Sequence, residues 1–177
     1  GGDYSTFQSA RDALVANAIS GPVIFNILAG TYNEQLLLYE VVGASATNTI
    51  TFQSADANAD SVIWENTANS SASNYVLKLN GTDHITLKNI TFKNLGASYS
   101  QKLVLIGVTD SVTIDSSKFV GPVIISSSVN CTSIYGGGAD AEALKIKNST
   151  FTDGGAYAIH LDSDNTSSSP TGLEISG

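Results

Sequence analysis

The chain has 177 residues, 14 % of them charged and 42 % hydrophobic, with 16 glycines and a formal net charge of −8. That length carries one domain with a substantial core, and the acidic balance, with Arg11 the sole arginine beside seven lysines, excludes a phosphate-binding surface for nucleic acid. The single cysteine, Cys131, excludes an internal disulfide, and no apolar run approaches the roughly 18 residues of a membrane span.

The first element is helical. Ser5-Thr6-Phe7-Gln8 has the spacing of a polar N-cap with glutamine three residues later. Phe7, Ala10, Leu14 and Ala18 then recur at helical spacing, so a helix is predicted over residues 6–18, plugging the end of whatever follows.

From residue 23 onward the period changes to two. The stretches HITLKNITFKN (84–94), SVTIDSSKFVG (111–121) and ALKIKNSTFTD (143–153) share one pattern. Ile85 and Leu87, Val112 and Ile114, and Leu144 and Ile146 point one way, with a Phe at a fixed offset (Phe92, Phe119, Phe151). First apolar positions fall at Val23, Ile50, Ile85, Val112, Leu144 and Leu173, giving gaps of 27, 35, 27, 32 and 29 residues. Repeats of that length mark stacked architectures. Each unit holds three short strands: residues 76–79, 85–87 and 90–92 in one, and 103–106, 112–114 and 117–119 in the next. Corners are expected at Asn80-Gly81, Gly121-Pro122 and Gly136-Gly137-Gly138.

Three strands per turn describe an all-β solenoid, a right-handed parallel β-helix whose rungs lie about 4.8 Å apart. The chain is read as a single β-helix domain over 1–177, with the helix at 6–18 and rungs from 23 to 177. No second cap is legible after Leu173-Glu174-Ile175, and an open parallel edge is a template for another strand. The expected partner at that end is further rungs of the same polypeptide or a neighbouring copy. The Gly1-Gly2 start fits a segment of a longer chain.

Two stretches carry a family resemblance. Residues 2–10 (GDYSTFQSA) and 23–34 (VIFNILAGTYNE) resemble the opening of pectin methylesterases, in which a helix leads into a strand ending in Ala-Gly-x-Tyr-x-Glu. Ile90-Thr91-Phe92-Lys93-Asn94 is similar to the same family's next signature, and the resemblance covers about residues 2–121. Gly30-Thr31-Tyr32-Asn33-Glu34-Gln35 and Thr49-Ile50-Thr51-Phe52-Gln53-Ser54 also resemble non-enzymatic β-helix modules of large secreted or surface proteins of Bacteroidota, the closer match in texture. The resemblance implies a pectin-lyase-like fold and an extracellular or cell-surface location.

An activity must be read from residues, because one fold hosts many functions. The methylesterase resemblance implies a Gln that stabilises an oxyanion, two Asp serving as acid/base and nucleophile, and an Arg orienting the second Asp. Gln101 matches the first of these motifs. Ile124 falls where the first Asp is expected and Thr132 where the second is, while Arg11 lies in the terminal helix. Without the carboxylates neither nucleophilic attack nor proton transfer has a carrier. The missing Arg also speaks against the lyases of this fold. A non-catalytic spacer, adhesin segment or filament subunit is therefore expected. The alternative is a carbohydrate-binding or carbohydrate-active domain, acting on a pectin-type polysaccharide, whose remaining site lies beyond residue 177.

Other candidates are weaker patterns. Asp83, Asp110 and Glu142 each stand two residues before a first apolar position and would form an acidic column at one corner, able to share a cation such as Ca²⁺. The competing reading makes Asp83 and Asp110 turn residues bonding local backbone N–H groups. Asp162 and Asp164 resemble half of a calcium loop but lack its Gly and distal Glu. No other cofactor is expected. Trp64 alternates with Ile63, so one of the two faces outward, and an outward Trp64 would stack on a sugar ring. Thr51, Thr86 and Thr113 form an outward threonine column that Lys145 and Glu174 interrupt. Ser61 and Ser111 lie in Asp-Ser-Val sequences like those on which Bacteroidota attach O-glycans, at expected exposed corners. The Asn-x-Ser/Thr sequons at Asn89 and Asn148 fall inside the strand repeat.

Overall fold

The computed structural model describes residues 3–109, 111–137, 143–162 and 174–177. Helix α1 (Phe7–Asn17) comes first. The first rung is β1 (Val23–Ile27), β2 (Gly30–Asn33) and β3 (Leu36–Tyr39), and the second is β4 (Ile50–Ser54), β5 (Val62–Asn66) and β6 (Leu77–Asn80). The third is β7 (Ile85–Lys88), β8 (Thr91–Asn94) and β9 (Leu103–Ile106), and the fourth β10 (Thr113–Asp115), β11 (Lys118–Val120) and β12 (Thr132–Gly137). The fifth is β13 (Lys145–Lys147), β14 (Thr150–Thr152) and β15 (Tyr157–Asp162), and β16 (Glu174–Ser176) opens a sixth. Every third strand pairs in parallel, producing one sheet β1-β4-β7-β10-β13-β16 and two others, β2-β5-β8-β11-β14 and β3-β6-β9-β12-β15. This is the parallel β-helix that the repeat predicts.

The registers follow the apolar positions. Ile50 pairs with Ile85 and Phe52 with Leu87, while Leu87, Ile114, Ile146 and Ile175 continue one column. The inward aromatic column is Tyr32, Trp64, Phe92, Phe119 and Phe151. Ring centroids step by 5.7 Å from Trp64 to Phe92, 5.3 Å to Phe119 and 5.0 Å to Phe151. Ile85, Leu87, Val112, Ile114, Leu144, Ile146, Phe92 and Phe119 are all buried, and Phe151, nearer the end of the coil, is half-buried. Thr51, Thr86, Thr113, Lys145 and Glu174 form the outward column next door.

Sharp corners make a coil of strands three to six residues long. Asn89, Ser116 and Asn148 link the first sheet to the second with φ of +54°, +50° and +49°. Asn tolerates this left-handed conformation better than most residues. Each of these three donates its N–H to the next rung: Asn89 to the Asp115 carbonyl, Ser116 to that of Lys147, Asn148 to that of Ser176. The asparagines of these two sequons therefore serve the corner. His84, Ser111 and Ala143 enter the first sheet in the same conformation.

Helix α1 closes the N-terminal end. Its buried face is Phe7, Ala10 and Leu14, and the Phe7 ring lies flat on Trp64 at 3.6 Å. Three details differ from the sequence reading. The cap is Thr6, whose Oγ1 accepts from the Ser9 N–H at 3.0 Å while Ser9 Oγ accepts from the Thr6 N–H at 3.2 Å, so Ser9 replaces Gln8 in the box. Ala18 leaves the helix as its C-cap with φ +54°. Gly136 and Gly137 continue β12 instead of turning, because Gly136 must pass close under Leu161 of the next rung; Gly138 lies outside the described residues.

Candidate functional site

Two neighbouring strands organise the region that the methylesterase resemblance singles out. β9 and β12 pair with Leu103 against Ile134 and Val104 against Tyr135, so Gln101, just before β9, and Thr132, opening β12, belong to the same end of the third sheet. Ile124 lies in the connection from β11 to β12 that passes over this end. The coil thus gathers three residues far apart in sequence.

Gln101 is 6 % exposed and is bonded through its N–H, its carbonyl and its side-chain Nε2. Its N–H donates to Asn74 Oδ1 at 2.9 Å, its carbonyl accepts from Asn94 Nδ2 at 2.7 Å, and its Nε2 donates to the Val129 carbonyl at 3.0 Å. The amide that would stabilise an oxyanion instead holds the short 3₁₀ turn Val129–Cys131 against the coil. Ile124 is half-buried and cannot carry a proton. Thr132 is fully buried, with its hydroxyl left without a hydrogen-bond partner among the described residues. Arg11 donates from Nη1 to the Leu37 carbonyl at 3.2 Å and pairs with Asp12, at the opposite, helix-capped end of the coil. The acid/base machinery implied by the resemblance is not assembled among these positions.

The group that stands there is Lys102. Its side chain is fully buried, and Nζ donates to Ser133 Oγ at 3.3 Å. Burial pushes its pKa down from 10.5 to about 8, because an ammonium loses its hydration there without gaining a carboxylate. The sequence reading passed over it. The available signal was a lysine opening the apolar run Leu103-Val104-Leu105-Ile106.

The other candidates disperse. Trp64 is fully buried and its Nε1–H donates to the Glu34 carbonyl at 2.9 Å, so it cannot stack on a sugar; the aromatic column takes Trp64 inward and leaves Ile63 outward. Ser61 is half-buried at the centre of a loop network: its Oγ lies 2.6 Å from Asp56 Oδ1, 2.8 Å from the Asn58 carbonyl and 3.0 Å from Ser54 Oγ. Hydrogen bonds from Ser54 and then Ser61 hold the Asp56 carboxyl below its usual range. Ser111 is half-buried too, in the left-handed corner before β10. Both serines are half-buried, where the glycan reading expects exposed corners. Asp83 is half-buried at the turn before β7. Asp110, Glu142 and Asp164 lie outside the described residues, and the Asp162 side chain is not described although its backbone closes β15. Among the described residues no three His, Cys, Asp or Glu side chains gather as metal ligands.

The outer face of the third sheet does carry a surface cluster. Leu37, Lys78, Val104, Tyr135 and His160 form its outward column. The Tyr135 and His160 rings are near-parallel at 5.8 Å, and Tyr157, half exposed, lies 5.1 Å from His160. Tyr135 lies in β12 and both Tyr157 and His160 in β15, more than twenty residues further on, and that separation hid the grouping from the sequence reading.

No family model and no curated protein matches this chain. Among solved structures it is similar to the pectin methylesterase from Aspergillus niger, in its deglycosylated form (TM-score 0.58) and in a penultimately deglycosylated form (TM-score 0.59). Each is 19 % identical and covers 99 % of this chain, which in turn spans 64 % of the length of that enzyme. At that identity the likeness shows the fold, a pectin-lyase-like β-helix, which is the architecture that the repeat predicts.

Proposed function

We propose that this chain is a non-catalytic β-helix module of a secreted or cell-surface protein, serving as a stiff spacer, adhesive segment or filament subunit. One observation carries the reading: at the positions the methylesterase resemblance assigns to chemistry, Ile124 and Thr132 offer no carboxylate, and the Gln101 amide is spent on the Val129 carbonyl. A continuous ladder of parallel rungs is mechanically suited to such a role, since each contact is with the adjacent turn. Incubation with highly methyl-esterified pectin, reading methanol release, tests the first point. No turnover is expected; release that Gln101→Ala abolishes would overturn it.

A second reading, polysaccharide binding, is favoured by the Tyr135, Tyr157 and His160 cluster, since aromatic rings on a flat sheet face suit pyranose stacking. Affinity electrophoresis in gels containing pectin-type polysaccharide tests it. Retardation that Tyr135→Ala and Tyr157→Ala both weaken is expected, and unretarded wild-type protein removes the reading.

A further inference from the structure

Lys102 is the only lysine or arginine among the described residues whose side chain is wholly buried, and every element around it is short of countercharge. From the β12 side come Ser133, whose hydroxyl is its hydrogen-bond partner, and Cys131, the one titratable group acting on the amine. From beneath come Asn74 and Val76, and from its own strand entry Ser100 and Gln101, all uncharged. Above it two corners meet: Gly121, after β11, and Gly154, after β14. A Cβ on Gly121 would lie 2.7 Å from Lys102 Nζ and 2.3 Å from Gly154 Cα, and one on Gly154 would lie 3.0 Å from Nζ. Only glycine lets these corners close over the amine. They are clasped by two backbone bonds of 3.0 Å, Gly121 N–H to the Thr152 carbonyl and Gly154 N–H to the Pro122 carbonyl. On their far side is a cavity of about 290 Å³, lined by Pro122, Val123, Ile124, Gly154, Gly155 and the exposed Asp153. No carboxylate among the described residues bonds to Nζ.

We propose that Lys102 and the Gly121 and Gly154 corners form a proton-operated latch: the corners seal over the neutral amine, and protonation parts them so that water from the adjoining cavity reaches the ammonium. The physical ground is the mismatch of the closed state. An ammonium has three N–H donors, and here one hydroxyl accepts while no carboxylate among the described residues compensates the charge. The neutral amine is far cheaper to bury. The closed form holds the amine near pH 8 and solvent returns it to 10.5, so the open form binds the proton more tightly. Opening is therefore greatest below pH 8 and declines as pH rises from 8 toward 10.5.

Cys131 is a built-in reporter. It is buried, and a Cβ on Gly155 would lie only 2.7 Å from its Cβ, so parting the corners uncovers it. The experiment measures iodoacetamide alkylation of Cys131 in the folded protein from pH 6 to 10, each rate divided by the folded protein's own thiolate fraction at that pH, read from thiolate absorbance, because Lys102 and Cys131 interact. In wild type the accessible fraction should fall roughly tenfold between pH 7 and pH 9. In Lys102→Met it should be low and flat. Ser133→Ala, which removes the amine's hydrogen-bond acceptor, should move the fall to lower pH and serves if the Met variant does not fold. Amide exchange across 121–131 should be faster at pH 7 than at the core residue Ile114 after correction for intrinsic rates. A flat wild-type profile, an unchanged slope in both variants, or corner amides as protected as Ile114 would each overturn the latch.

Discussion

Single side chains in this coil matter according to which column they join. Ile114 is fully buried between Leu87 and Ile146, so its truncation leaves a void flanked on both sides by paired strands that cannot collapse into it. Ile114→Ala is expected to cost about 2–5 kcal/mol in urea unfolding. Lys102 acts in the opposite sense. With a folded pKa of about 8 against 10.5, the unfolded chain binds the proton more tightly, so this residue destabilises the fold below pH 8 and ceases to as pH rises to 10.5. Lys102→Met should stabilise by up to about 3 kcal/mol at pH 7, with the gain fading by about pH 10.5. Equal gains at both pH values would contradict the assignment. Gly43 illustrates a backbone constraint: at φ +92°, with the Ile19 carbonyl oxygen 1.9 Å from where a Cβ would sit, it allows no side chain.

At the level of elements, helix α1 is held by one ring more than by its own propensity. An isolated helix of eleven residues is marginal in water, and this one stays because Phe7 stacks on Trp64 and meets Tyr32 edge-on at 5.2 Å. Phe7→Ala should cost about 3–5 kcal/mol. Thr6→Ala, which removes one capping acceptor, should cost about 1 kcal/mol. Calorimetric melts of the two variants check the ranking; a Thr6 effect as large as that of Phe7 would place the helix's hold at its cap instead of its plug. The strands show the complementary case. β10, β11, β13 and β14 have three residues each, too few to persist alone, and exist because the preceding rung supplies their partners.

For the whole molecule, the stacked registers make stability a sum over neighbouring turns, and β16 has a strand partner on one side alone among the described residues. Ile175 in β16 is 62 % exposed, against complete burial of Ile114 in the same column. Light scattering on residues 1–177 checks whether the exposed β16 edge pairs with a second copy. Concentration-dependent association is expected, and a monodisperse species with a single cooperative melt would exclude that pairing. Gln101→Ala should lower stability by about 1–3 kcal/mol through the loss of its bond to the Val129 carbonyl while leaving any polysaccharide binding unchanged.

What the sequence by itself determined was the coil and its register. In a parallel solenoid each rung must repeat its neighbour's inward pattern, so long-range pairing is written as local repetition: Ile85 with Val112 and Leu144, Phe92 with Phe119 and Phe151. Left-handed corners left a trace as well, in the Asn of Asn89 and Asn148. Trp64 was legible in principle, because it occupies the Phe position of its rung, 28 residues before Phe92. Only the tertiary structure decided what happens where repetition fails. The connections between strands have irregular lengths, so nothing in their order says that Gly121 and Gly154 from successive turns would meet over Lys102, or that Gln101 would spend its amide on Val129. Tyr135, Tyr157 and His160 came together only once β12 and β15 were laid side by side. The physical reason is the same throughout: a strand's partners are set by a repeating hydrophobic constraint, while a corner's partners are set by whatever the neighbouring corners leave room for.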